Sequence, residues 1–258
     1  MKKSASVLVF FLVLQQAASQ TLTGSLKAHA GQDITLTGYN YYKSNQLAKT
    51  TLDSVGTFRL RYPKTYVGMA TLKTQDKTSL ILILSGKALV LEGTHLTITD
   101  SLRFKNSVEN NRFLQIAKNT GLNNSTYGAW RYLAEQYKAP YFKKNSSETI
   151  LNIAKEIQGV EDRNAAGLQN LPKDSYVHWY APIRSLLSEM PETVSKYTER
   201  LPKDIAQFRA IDFTNPNFKT SGLFKELIEG HYFLLENMGQ PLDSVYAQMN
   251  VSTDYLMH

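Results

Sequence analysis

The sequence predicts an α+β protein, with an antiparallel β-sandwich or partly closed barrel in residues 20–100 and an α-helical segment in residues 101–258. Two features of the sequence support this fold class. Up to about Thr99, apolar residues alternate with polar ones in short runs separated by glycine, which is typical of half-buried strands. After Asp100, apolar residues recur every three to four positions, which is the spacing of amphipathic helices.

Seven or eight short strands are expected before residue 100, at spacings typical of antiparallel sheets. Residues 50–62 are predicted to form a hairpin around a turn at 53–56, with the apolar residues of the return strand on one face. Residues 80–84 are apolar at every position, so they are predicted to form a central strand covered on both faces. Residues 95–99 are predicted to form the last strand.

The helical part is expected to contain five to seven helices. Starts are predicted near these residues: Ser107, Gly128, Ser146, Asp174, Ser221 and Ser252. The clearest apolar stripe runs from Tyr176 to Met190, with a kink expected at Pro182 and an end at Pro191. The aromatic run at 178–180 lies on this stripe and is interpreted as core packing. The last predicted helix has only a few residues, so we expect the natural polypeptide to continue beyond it.

The first twenty residues predict export through a cleaved signal peptide. Lys2 and Lys3 precede the apolar run at 7–14, and small residues follow it, which predicts cleavage between Ser19 and Gln20. The run is far shorter than the roughly 20 residues of a membrane-spanning helix. Residues 1–19 are therefore expected to be a signal peptide, and the mature protein is expected to be periplasmic or extracellular with no membrane span.

Composition limits the chemistry that is expected. The chain has no cysteine, so it cannot itself exchange thiols and disulfides. The net charge of +7 is spread along the chain, which does not favour nucleic acid as a partner. The five histidines include no pair at metal-ligand spacing, and no catalytic motif is present. We therefore predict no catalytic residue, no metal site and no cofactor, although a hydrolase with loop-borne carboxylates stays open.

Tyrosine is abundant, with 15 in the chain, and three lie close together. Tyr39, Tyr41 and Tyr42 fall in one predicted loop. Exposed loop tyrosines offer a large contact area at low entropic cost, so these three are candidate ligand-binding residues. The alternative is that the loop folds back over the sheets.

Several strand and turn segments resemble the N-terminal β-domain, of unknown function, of exported bacterial thioredoxin-like thiol–disulfide oxidoreductases of the redoxin and alkyl hydroperoxide reductase type. The segments are residues 21–27, 34–39, 50–60, 66–70 and 102–110. In that family a helical segment lies between the β-domain and the thioredoxin fold, whose Cys-x-x-Cys motif carries the activity. This sequence has no such motif, so no catalytic residue is transferred and enzymatic activity is left open.

The resemblance implies a non-catalytic exported module, the N-terminal accessory or positioning region of a periplasmic thioredoxin-like oxidoreductase. Its partner would be a thioredoxin-fold domain, in the same chain or a separate one, or the clients of that domain. On this view the sequence is the front part of a longer protein. The alternative function is a stand-alone extracytoplasmic module that binds a peptide or a glycan.

Overall fold

The computed structural model describes residues 19–97, 99–139, 147–196 and 198–257. These residues form two four-stranded sheets and six α-helices, which confirms the α+β class. Residues 1–18, which carry most of the predicted signal peptide, lie outside the described residues, and Ser19 and Gln20 begin the first strand. Every described strand lies between residues 19 and 104, and every described α-helix begins at or after residue 108.

The strands are β1 (Ser19–Leu26), β2 (Asp33–Asn40), β3 (Lys43–Thr51), β4 (Thr57–Pro63), β5 (Gly68–Thr74), β6 (Ser79–Leu84), β7 (Leu89–Gly93) and β8 (Arg103–Phe104). They form two open sheets, a first sheet in the order β4-β1-β7-β8 and a second in the order β3-β2-β5-β6. The predicted alternative of a partly closed barrel is therefore wrong. The expectation of purely antiparallel sheets is wrong as well, because β1 and β7 run parallel. Alternation within a strand encodes its buried face but not the direction of its neighbour.

The turn predicted at 53–56 is present, but the predicted hairpin is wrong. Asp53 Oδ1 accepts a hydrogen bond of 2.7 Å from the Thr57 N–H, and Gly56 has a φ of +81°, which favours glycine. The strands on either side, β3 and β4, belong to different sheets, so the turn carries the chain from one sheet to the other. The return strand does bury the expected face, which is formed by Phe58, Leu60 and Tyr62.

The two sheets share one buried core, to which alternate residues of their strands contribute. Its fully buried members include Leu22, Leu60 and Leu91 from the first sheet and Ile34, Leu36, Leu72 and Leu82 from the second. Residues at 95–97 form a turn instead of the predicted last strand, and residue 98 lies outside the described residues.

Strand β6 is an edge strand of the second sheet, not the predicted central strand. Both its faces are nevertheless buried, with Leu82 in the core between the sheets and Ile83 in the core of the helical part. The exposed backbone of this edge is met by Asn110, whose Oδ1 accepts from the Ile83 N–H at 2.8 Å and whose Nδ2 donates to the Ile83 carbonyl at 2.9 Å. Asn111 makes the same pair of bonds, at 2.8 and 2.7 Å, to Phe104 at the edge of the first sheet.

The helices are α1 (Val108–Lys138), α2 (Ser147–Gln169), α3 (Tyr176–Lys196), α4 (Leu201–Arg209), α5 (Phe224–Glu236) and α6 (Leu242–Met257), with 3-10 turns at Lys27–His29, Thr99–Ser101, Thr198–Arg200 and Pro216–Thr220. Helix α1 is one helix where the sequence predicts two, and Ser252 lies inside α6 instead of starting a helix. Helix α3 passes through Pro191 to Lys196, because burial of Met190 and Thr193 on either side holds it in place.

The helices pack on the outer face of the second sheet. Met69 and Ile83 of that sheet belong to the same buried cluster as Tyr180 and the rest of the predicted α3 stripe. Helix α3 begins against α1, where Glu109 Oε1 accepts a hydrogen bond of 2.7 Å from the Tyr176 N–H. The start of α1 therefore joins both sheets and α3 at one junction.

Candidate binding surface

Tyr41 and Tyr42 are the two turn residues of the β2–β3 hairpin, between the paired residues Asn40 and Lys43. Their side chains are 47% and 63% exposed, respectively. The φ of Tyr41 is +51°, in the left-handed region that a bulky residue rarely adopts and that such turns usually fill with glycine or asparagine. Strain of this kind costs about 1–3 kcal/mol and persists only where the surroundings enforce it.

The surroundings that enforce the turn come from the helical part. The Tyr41 N–H donates to the Lys219 carbonyl at 2.8 Å. The rings of Tyr41 and Tyr42 both lie edge-on to Phe224, with centroid distances of 5.4 and 5.0 Å. Edge-to-face contacts of this kind are favourable for aromatic rings. We call Tyr41, Tyr42 and Phe224 together the aromatic patch.

Tyr39, the third predicted binding residue, lies in strand β2 and outside the aromatic patch. Its hydroxyl shares a bond of 2.7 Å with the Thr71 hydroxyl, and its N–H donates to the Tyr66 hydroxyl at 2.7 Å. Burial raises the pKa of Tyr66 to about 12, so this phenol stays protonated and donates to the Met69 carbonyl at 2.6 Å. Gly222 adopts a φ of +73° and lies so close that a Cβ there would be 2.9 Å from the Tyr39 ring. Tyr39 therefore seats the hairpin against the helical part.

A cleft of about 570 Å³ opens beside the first turn of α3. It is lined by Lys173, Asp174, Ser175, Tyr176, His178, Trp179, Asn215 and Asn217. The Trp179 ring is half-buried and packs edge-on to Phe218 at 4.9 Å, and Phe218 lies 6.3 Å from Phe224. Core packing is confirmed for Tyr180, whereas Trp179 also reaches the cleft.

Sequence reasoning located the exposed tyrosines but missed their partners. Phe224 belongs to the predicted apolar stripe of α5, and nothing in its local pattern indicates that it lies under a hairpin turn. Lys219 contributes through its backbone carbonyl, for which the side chain gives no signal. The patch exists only because the helices pack on the second sheet.

Comparisons with known proteins give no family for this chain. No family model matches it, and no curated protein matches it. Among solved structures, a 9R-lipoxygenase from Cyanothece PCC8801 is 13% identical, over 49% of this chain and 25% of the lipoxygenase, with a TM-score of 0.20. A TM-score this low carries no argument about fold or function. Within the described residues, no helix has both the length and the apolar character needed to cross a membrane.

Proposed function

We propose that this chain is an exported, non-catalytic accessory module that binds a protein partner through the aromatic patch. On this proposal residues 20–100 act as a β-sandwich domain and residues 101–258 as a helical domain that holds the binding turn. The partner class implied by the family resemblance is a thioredoxin-fold domain, in the same chain or separate, or one of its clients. The module would act in the periplasm or outside the cell.

The strained conformation of Tyr41 is the observation that carries the proposal. A glycine or asparagine would adopt the same turn at lower cost, so the strain indicates selection for the ring that Tyr41 carries. Tyr41 and Tyr42 are exposed and yet fixed by Phe224 and the Lys219 carbonyl. A preorganised aromatic surface loses little entropy on binding, and tyrosines are enriched among the residues that dominate protein interfaces.

Charge around the patch favours a partner with acidic side chains. Exposed lysines adjoin it in the sequence, with Lys43 directly after Tyr42 and Lys225 directly after Phe224. Lys225 lies 3.6 Å from Glu229, which moderates its charge. Positive charge at the rim of an apolar contact accelerates association with an acidic partner and disfavours a basic one.

The family resemblance supports a positioning role through one of its segments. Residues 102–110 include Glu109 and Asn110, which form the junction between the second sheet, α1 and α3. A junction of this kind fixes the helical part on the sheets, as a module that sets the place of a further domain requires.

The test is a binding titration of the mature chain against two probes. These are a purified exported thioredoxin-fold oxidoreductase and a reduced, carboxymethylated protein as an unfolded client. We expect the double variant Tyr41→Asn/Tyr42→Ala to raise the Kd at least tenfold for one of them. Tyr132→Ala is the matched control, because Tyr132 is 64% exposed on α1 and lies outside the patch. Equal Kd values for the wild type and the double variant with both probes would contradict the proposal.

The α3 cleft favours a second candidate, a stand-alone module that binds a glycan or a peptide. A half-buried tryptophan beside amide side chains is suited to stacking on a sugar ring and hydrogen-bonding its hydroxyls. The test is a titration with a panel of oligosaccharides, followed by tryptophan fluorescence. Loss of the signal change in Trp179→Phe, with Trp130→Phe as the control, would favour this candidate over the aromatic patch.

A further inference from the structure

Three side chains of metal-ligand type, distant in the sequence, meet at one end of the two sheets. His29 follows β1, His95 follows β7 and Asp76 lies in the turn between β5 and β6. Because β1 and β7 run parallel, the segments that follow them leave the first sheet at the same end. The Ala28 N–H donates to the Thr94 carbonyl at 3.0 Å and holds these two segments together. The parallel pair that the sequence does not predict therefore creates the cluster.

The geometry of the cluster matches that of ligands around one ion. His29 is fully buried, and its Nδ1 has no hydrogen-bond partner in the described part of the chain. This nitrogen lies 3.3 Å from Asp76 Oδ2, close to the separation of about 3.3–3.5 Å between two ligands of a tetrahedral zinc ion with bonds of about 2.0–2.1 Å. The His95 ring lies beside it, with a centroid distance of 4.3 Å, and one ligand atom from each of the three residues lies within 4.8 Å of the others.

The surrounding residues orient two of the three side chains. Asp76 Oδ1 accepts hydrogen bonds from the Thr74 hydroxyl at 2.6 Å and the Thr78 N–H at 3.0 Å, which leaves Oδ2 directed at His29. His95 Nδ1 lies 2.7 Å from the Thr97 hydroxyl, which can accept its proton when the other ring nitrogen binds an ion. Outer hydrogen bonds of this kind fix the ring orientation and tautomer of metal ligands.

We propose that His29, Asp76 and His95 bind a divalent transition-metal ion of the zinc class. Two imidazole nitrogens and one carboxylate oxygen suit zinc and its neighbours better than magnesium or calcium, which prefer oxygen ligands alone. Three protein ligands leave one position of a tetrahedral site for water or for a group from a partner. The ion would link the first sheet, which supplies both histidines, to the second sheet, which supplies the aspartate.

Binding has one identifiable cost. The Leu96 N–H donates to His29 Nε2 at 3.3 Å, which places the ring proton on Nδ1 in the free protein. An ion at Nδ1 requires the proton on Nε2, so this hydrogen bond must break. The bond is longer than the usual 2.7–3.2 Å range and therefore weak, so the metal–nitrogen bond can offset its loss. The change of tautomer is itself a measurable sign of binding.

The test uses the mature chain without a histidine tag, stripped with a chelator and titrated with Zn²⁺ by calorimetry and with Co²⁺ by visible absorption. We expect one ion per chain, a rise in Tm with zinc and the four-coordinate spectrum of cobalt. His95→Gln and Asp76→Asn should each weaken zinc binding at least tenfold. His178→Gln, a half-buried histidine on α3, is the matched control and should bind as the wild type does.

Nitrogen-15 NMR of the wild-type histidines keeps the proposal falsifiable if a variant fails to fold. We expect zinc to move the His29 proton from Nδ1 to Nε2. The proposal is overturned if zinc leaves this tautomer unchanged, if less than one-fifth of the chains bind an ion, or if His178→Gln weakens binding as much as His95→Gln does.

Discussion

Protonation of His231 is expected to destabilise the fold strongly between pH 7 and pH 4. His231 is fully buried in α5, its ring stacks on Phe208 at 3.8 Å, and neither ring nitrogen has a hydrogen-bond partner among the described residues. Burial, with a smaller contribution from the Arg209 charge, lowers the pKa of His231 from 6.5 to about 4. The unfolded chain therefore binds a proton that the folded chain refuses in this range.

The magnitude and its sign follow from linkage. Stability is fully present above the unfolded pKa, falls as the pH drops through 6.5 and levels off below the folded value. At about 1.4 kcal/mol per pH unit, the loss approaches about 3 kcal/mol. His231→Leu removes the titrating ring and keeps the site apolar, so its stability should change less with pH by that amount.

The assay is urea denaturation of the wild type and His231→Leu at half-unit pH steps from 7.5 to 4. Taking the difference between the two proteins removes the contribution of carboxylates common to both. His178→Gln serves as the control and should follow the wild type. Parallel stability curves for the wild type and His231→Leu would refute the reasoning, because they would mean that the ring is hydrated or paired in solution.

Three further substitutions test the packing between sheets and helices, each by urea denaturation at neutral pH. Asn110→Ala should cost about 3 kcal/mol, because it leaves the buried N–H and carbonyl of Ile83 unpaired; a loss below about 1 kcal/mol would show that water replaces the amide. Gly222→Ala should cost at least about 1 kcal/mol, since the left-handed backbone and the nearby Tyr39 ring both oppose a methyl group, and an unchanged midpoint would contradict this. Tyr41→Asn should leave stability unchanged or raise it by about 1 kcal/mol while partner binding falls; a clear destabilisation would mean that the turn is not strained.

The sequence predicts those features of the fold that depend on local periodicity. Phe58, Leu60 and Tyr62 alternate, and they form one buried face as expected. Residues 80–84 are apolar throughout and are indeed buried on both faces. The position of this strand in its sheet was wrong, because its second cover comes from α1 and its edge is met by Asn110, whose side chain carries no sign of that role in the sequence.

The same limit applies to the sites. Tyr41 and Tyr42 stand out in the sequence because they are adjacent and polar residues surround them. Phe224 joins them through tertiary packing that no spacing encodes. His29 and His95 come together only because two strands pair in parallel, and alternating residues give no information on strand direction. Local patterns therefore identify single residues, while the partners of those residues depend on topology.

The adjacent asparagines at the start of α1 also bear on solubility. An uncovered strand edge is a template on which another chain can add a strand, and natural sheets protect such edges. Asn110 and Asn111 occupy the edges of two different sheets from a single helical turn. Unwinding of that one turn would uncover both templates together, so fraying at this point would turn a monomer into a seed for aggregation.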